Sequence, residues 1–254
     1  MPVVAMTTLT TTTMIMITTT TMVTMTTTTE AALFRLMTWL SPSFPVGAFS
    51  FSHGIEAAAE AGLLTDRAGL VEWIGGVVDF GAGRLDASLF RLAFEAARGE
   101  GSLEDVVETA DLHRGTSELA LEARVQGLAF LDAVLASWPN PRLQALAAAA
   151  RATGRPVAYP VAVALAAAAH DVPLGPALAA FLHGFVANLI SAAVRIIPLG
   201  QTDGQRTMAA LEPVLASAVA RTLAPGPITP FSSAVMVDFC SMAHERQWTR
   251  LFRS

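Results

Sequence analysis

The feature that most restricts this chain is a mostly apolar run from Ala177 to Ile197, long enough for nearly six helical turns and closed by Pro198. At 100° per residue its small and polar side chains (His183, Gly184, Ala187, Asn188, Ser191 and Arg195) gather within an arc of roughly 140°. Phe181, Leu182, Phe185, Val186, Leu189, Ile190, Ala193, Ile196 and Ile197 fill the rest. A helix apolar over most of its circumference must be surrounded by other helices. A bilayer span of this length is the competing reading. His183, Asn188 and Arg195 oppose it, because each is costly in hydrocarbon and the run lacks flanking aromatic and basic anchors. The expectation is a buried central helix over 177–197.

The rest of the chain reads as helix after helix. Glu30–Leu40 carries an apolar stripe and stops at Ser41-Pro42, and a short helix ends near Ala61. Thr65 is placed to cap a helix bearing Leu70, Trp73, Ile74, Val77 and Val78. Further helices follow over Leu85–Ala97, from Ser102 to about His113, and from Thr116 to Pro139. Two Ala-rich helices cover Arg142–Ala152 and Val157–Ala169. After the apolar run, PLGQTDGQ reads as a turn with Asp203 as the next N-cap, and Pro213 should kink or break the helix that runs to Arg221. Phe231–His244 is the last helix. No period-2 alternation marks a strand. The fold class is therefore all-α, one bundle-like domain of about ten helices over 30–245. A Thr/Met-rich extension, expected to be disordered, precedes it over 1–29, and a polar-aromatic tail follows over 246–254.

Composition narrows the function. A net charge of −5, with all 16 basic residues Arg and none clustered, argues against nucleic acid as partner. One cysteine, Cys240, excludes an internal disulfide and suits a reducing compartment such as the cytoplasm. The five histidines (His53, His113, His170, His183, His244) and Cys240 show no metal-ligand spacing. No phosphate-binding glycine loop occurs, and without lysine a P-loop is impossible. No cofactor and no metal site are expected. Ser50, His53 and Glu56 sit close enough in sequence to raise a small all-α hydrolase as the alternative, although GAFSFS lacks the nucleophile-elbow pattern.

Three segments, SPSFPVGAFSFSHGIE, VRIIPLGQTDGQ and HERQWTRLFRS, resemble in order and spacing the urease accessory protein UreF family, over roughly Glu30 to Ser254. Pro45, Val46, Gly47, Phe49, Ser50, Gly54 and Glu56 match the first motif. Arg195, Pro198, Leu199, Gly200, Gln201, Gly204 and Gln205 match the second, and Arg250, Leu251, Phe252, Arg253 and Ser254 the third. Phe51 and His53 depart from the family's usual Tyr and Gln. The resemblance implies a non-enzymatic helical protein acting in nickel insertion into urease. It also implies a bridge between UreD and the GTPase UreG on apo-urease, control of GTP hydrolysis by UreG, and a homodimer within the complex. These matched residues are the expected partner-binding set. The polar face of the 177–197 helix is a candidate border for a path taken by nickel. Trp248, Leu251 and Phe252, interleaved with Arg246, Arg250 and Arg253, make the tail a candidate docking element for UreD, disordered until it binds.

Overall fold

The computed structural model describes residues 28–253, so nearly all of the Thr/Met-rich leader and Ser254 lie outside the described residues. Among the described residues there are eleven α-helices and no strand. They are α1 (Glu30–Trp39), α2 (Ile55–Glu60), α3 (Arg67–Phe80), α4 (Ala82–Ala97), α5 (Leu103–Leu112), α6 (Ser117–Ser137), α7 (Pro141–Ala152), α8 (Tyr159–Ala169), α9 (Leu174–Ile196), α10 (Gln201–Leu223) and α11 (Val235–His244).

The starts are fixed by short polar side chains that satisfy otherwise unpaired N–H groups of the first turn. Thr29 accepts from Ala32, Ser102 from Asp105, Thr116 from Leu119, and Asn140 from both Arg142 and Leu143. Two expected caps move. Asp66 rather than Thr65 opens α3, its carboxylate accepting from the Gly69 amide at 2.9 Å. Gly200 is the N-cap of α10, and Asp203 sits at the third helical position, reaching back to the Gly200 amide.

The most completely enclosed helix is α8, in which every residue from Pro160 to Ala169 is buried. Its alanine-rich surface lets α4 and α6 pack against it closely. Gly127 of α6 makes this possible, because a Cβ there would run into the carbonyl oxygen of Val157. The 177–197 run lies on α9, whose apolar side packs on α10, α4 and α8. Its other side leaves His183, Ser191 and Arg195 exposed, though Leu40 lies beside Gly184 and the 48–50 turn and α2 also pack on α9. By length and composition α9 could cross a membrane, yet half of its apolar window is buried inside the domain, as suits a core helix. The centre expected on α9 is thus shared with, and more fully occupied by, the helix before it.

Helix α10 runs unbroken through Pro213. No break falls at Pro213, which lies on the solvent side together with Ala209, whose carbonyl loses its helical partner. The last helix starts at Val235, four residues later than expected. The segment before it is anchored instead by Ser233, which donates to the Phe80 carbonyl at 2.7 Å, and by Phe231 beneath the Arg84 guanidinium.

An aromatic column locks the loop after α1 onto the bundle. Trp39 meets Phe130 and Trp138 edge-on at 6.1 and 5.9 Å, and Phe44 tilts against Phe130 at 5.4 Å. Tyr159 continues the column to Phe181 and thence to Phe90. Each such pair adds about 0.5–1.5 kcal/mol beyond its buried area. The column sets the loop that carries the first motif.

Candidate functional site

Between α1 and α2 the chain turns twice through left-handed backbone, at Gly47 (φ 73°) and at His53 and Gly54 (φ 56° and 80°). Glycine is required at the last of these for a second reason. A Cβ on Gly54 would lie 3.2 Å from both the Ser241 nitrogen and the Val237 oxygen of α11. The turns bury Val46, Phe51 and Ser52 and leave Phe49 exposed, while Ser50 donates its hydroxyl to the Gly47 carbonyl at 2.6 Å.

The C-terminal tail returns to this loop. Leu251 and Phe252 donate their backbone amides to the two oxygens of Glu56 at 2.7 and 2.9 Å, and the Arg253 amide donates to the Ser50 carbonyl at 2.8 Å. The side chain of Phe252 is buried. Arg195, at the end of α9, clamps the same junction: it donates to the Phe49 carbonyl at 2.8 Å and lies 4.3 Å from the centre of the Phe252 ring. Arg253 in turn lies over Phe51. The expectation of a tail detached from the domain is overturned through residue 253, because a buried carboxylate finds its hydrogen-bond donors there. Three motifs far apart in sequence therefore meet at one junction.

The second motif divides. Arg195 belongs to the junction, but Pro198, Leu199 and Gly200 form only a short link. Gln201, Gly204 and Gln205 are helical, not part of a turn. Gln201 and Gln205 are exposed on the first turns of α10. Gly204 lets α10 approach α9, since a Cβ there would lie 3.2 Å from Ile190 and 3.4 Å from Val194.

Beneath the junction runs a buried polar seam. His244, fully buried at the end of α11, sets Nδ1 2.9 Å from Glu118 and Nε2 3.1 Å from Glu56. A neutral imidazole carries one N–H, so both contacts are hydrogen bonds only when the ring holds two protons or a carboxyl supplies one. Arg250 adds a guanidinium 3.2 Å from Glu118. Burial pushes the Glu118 carboxyl above the ordinary range, against the pull of His244 and Arg250. Farther along, His53 Nδ1 faces Glu122 at 3.1 Å, Gln126 donates to Glu122, and Arg114 pairs with buried Asp86. Burial also raises the Asp86 carboxyl, outweighing Arg114.

Glu118 and Glu122 lie outside the three motifs, and the sequence marks His244 only as a histidine without metal-ligand spacing. A signal for the two glutamates is the spacing of Glu118, Glu122 and Gln126 at i, i+4 and i+8, one polar stripe along α6. The hydrolase alternative finds no support. Ser50 is held by Gly47, His53 by Glu122, and Glu56 by the tail and His244, and no hydrogen bond joins any two of the three. Among the described residues, no group of three or more His, Cys, Asp or Glu could hold a metal ion.

The arrangement joins loop, helix end and tail into one packed junction with exposed apolar groups at its rim. The chain is 48% identical to the urease accessory protein UreF of Bradyrhizobium diazoefficiens over 226 residues, covering 88% of this chain and 92% of the relative. It is 47% identical to the namesake from Rhodopseudomonas palustris over 226 residues, with 88% and 94% covered. With that of Magnetococcus marinus the identity is 44% over 232 residues, with 89% and 99% covered. The family model described as UreF matches residues 64–212, and the chain belongs to the UreF family of urease accessory proteins.

Proposed function

We propose that this chain is a non-enzymatic adaptor in urease maturation, acting in the cytoplasm. It bridges UreD and the GTPase UreG on apo-urease while the nickel centre is assembled, and it adjusts GTP hydrolysis by UreG. Within the complex it pairs with a second copy of itself. Nickel is cargo here, not a resident cofactor.

The observation that carries this reading is the junction of the three motifs. Its interior is closed by Glu56, Arg195 and Phe252, while its rim exposes Phe49 (67%), Leu251 (64%) and Trp248 (100%). A fully exposed tryptophan beside exposed leucine is unfavourable in water and typical of contact anchors, each commonly worth about 2 kcal/mol or more when a partner covers it. On this reading the folded tail presents the docking surface for UreD.

The test is a Trp248→Ala/Leu251→Ala double variant, which removes the rim without touching the interior. Expected is an unchanged melting temperature, loss of co-purification with UreD, and loss of urease activation in cells supplying the remaining accessory proteins. Full activation by the double variant overturns the docking role of the tail.

A further inference from the structure

The backbone of His53 is left-handed, with φ 56°, a conformation that a residue with a Cβ keeps only where its surroundings fix it. Two of those surroundings are plain. Nδ1 faces Glu122 at 3.1 Å, and the Phe185 ring meets the imidazole edge-on at 5.5 Å. The remaining ring nitrogen, Nε2, is buried and has no hydrogen-bond partner among the described residues. Arg114 has a matching orphan. Its Nη1 lies 2.7 Å from Asp86 and its Nε donates to the Ala110 carbonyl, but Nη2 is buried without a partner. Both groups are more than nine-tenths enclosed, His53 with 5% of its surface exposed and the Arg114 side chain with 6%.

The two side chains line one small cavity of about 10 Å³, with Asp238 of α11 on its wall. That is room for about one water molecule and for nothing larger. Gly115 lets the chain close over Asp238, because a Cβ there would lie 2.6 Å from a carboxylate oxygen. The chemistry of the wall then selects the occupant. With Nδ1–H donating to Glu122, Nε2 of the neutral ring is an acceptor; Arg114 Nη2 is a donor, and the Asp238 carboxylate accepts. A halide is repelled by Asp238 and has no proton to give to Nε2. A metal ion or an ammonium ion meets the Arg114 guanidinium. An apolar group leaves every one of these atoms unpaired. Water donates twice and accepts as well, which is what the three groups require.

We infer that this cavity is a binding site for one structural water, which accepts from Arg114 Nη2 and donates to His53 Nε2 and to Asp238. The water joins three segments far apart in sequence: the turn of the first motif, the link between α5 and α6, and α11. It supplies the third support of the His53 ring and so completes the fixing of a strained turn. Through His53 it braces Glu122, and with it the polar seam beneath the junction. The inference concerns this internal frame and goes beyond the docking role proposed for the rim. Either can fail alone, since the test below uses no partner and no urease.

The test is a crystal structure of the full chain, grown with bromide in the solution, at a resolution that shows ordered water. Expected is one isolated peak of a water's weight, about 2.5–3.2 Å from His53 Nε2, Arg114 Nη2 and an Asp238 oxygen, with no anomalous signal from bromide. A cavity without density overturns the water site. So does a direct hydrogen bond from His53 Nε2 to Asp238, or a bromide signal at the peak. A variant checks the bridge itself. His53→Phe keeps an aromatic ring against Phe185 and removes the acceptor, so its crystals should lose the peak while Arg114 stays paired with Asp86. A peak of undiminished height in that variant overturns the link through His53. If the variant does not fold, the crystal of the parent chain decides by itself.

Discussion

The Glu56 carboxylate accepts the backbone amide of Phe252 at 2.9 Å across 196 positions of sequence. It also takes the Leu251 amide and faces His244, so one buried side chain closes the chain end onto α2. Hydrogen bonds to a charged acceptor contribute about 1.5–3 kcal/mol each, and a buried partner left unpaired costs about as much. Glu56→Gln keeps the shape but removes the charge and one acceptor oxygen. Expected is a loss of about 2–3 kcal/mol and faster trypsin cleavage after Arg246 and Arg250. Melting and cleavage rates indistinguishable from the parent chain would show that the tail is held by other contacts.

Deleting residues 250–254 should therefore be felt by the whole domain. The deletion exposes the pocket of Phe252, worth about 1.5–3 kcal/mol in burial. It also leaves Glu56 without its two amide donors. For a domain of this size each kcal/mol shifts the melting point by roughly 2–4 °C. A drop of about 6 °C or more is expected by calorimetry, and an unchanged midpoint would return the tail to the status of a loose appendage.

Much of this was legible in the sequence because local chemistry decided it. The Thr116 and Ser102 caps, the stop at Ser41-Pro42 and the 3.6-residue stripes involve only near neighbours, and the helices appear where those marks stand. What the sequence withheld depends on distant partners. Nothing local to the tail says that Glu56 awaits its amides, and a polar-aromatic segment looks solvated until that carboxylate is placed beside it. Gly204 looked like a turn glycine because turns and close helix contacts favour the same residue; only the position of Ile190 separates them. The long run on α9 outshone α8, since apolar length is visible in sequence and enclosure by neighbours is not. The junction itself could be found from resemblance to a family, but not from the spacing of its three segments.

The two left-handed glycines of the first motif should differ in cost. Gly47→Ala meets only the strain of φ 73°, with no atom nearer than 3.9 Å, so a loss of about 1–2 kcal/mol is expected. Gly54→Ala adds a clash with the backbone of α11 at 3.2 Å, where no flexible side chain can yield. It should lose more than Gly47→Ala and disturb the α2–α11 contact. Equal denaturation midpoints for the two variants would show that α11 shifts freely and that strain alone matters.

His170 supplies a pH dependence whose sign can be stated. Its ring packs 5.4 Å from Trp39, and burial, helped by the nearby Arg35, holds its pKa below the ordinary 6.5. The folded protein therefore binds fewer protons at this site than the unfolded chain once pH falls toward 6.5. Stability then rises with pH through that window. The contribution is fully present above the unfolded value and is lost as pH falls through the depressed folded value. His170→Phe keeps an aromatic ring against Trp39 and removes the titration. Between pH 7.5 and 5 the parent chain should lose stability relative to His170→Phe, by about 1.4 kcal/mol for each unit of depression. Urea midpoints of the two proteins, followed in parallel across that range, would measure the difference. A gap that stays constant with pH, or one that widens in the parent's favour on acidification, would mean that His170 is not held neutral by its surroundings.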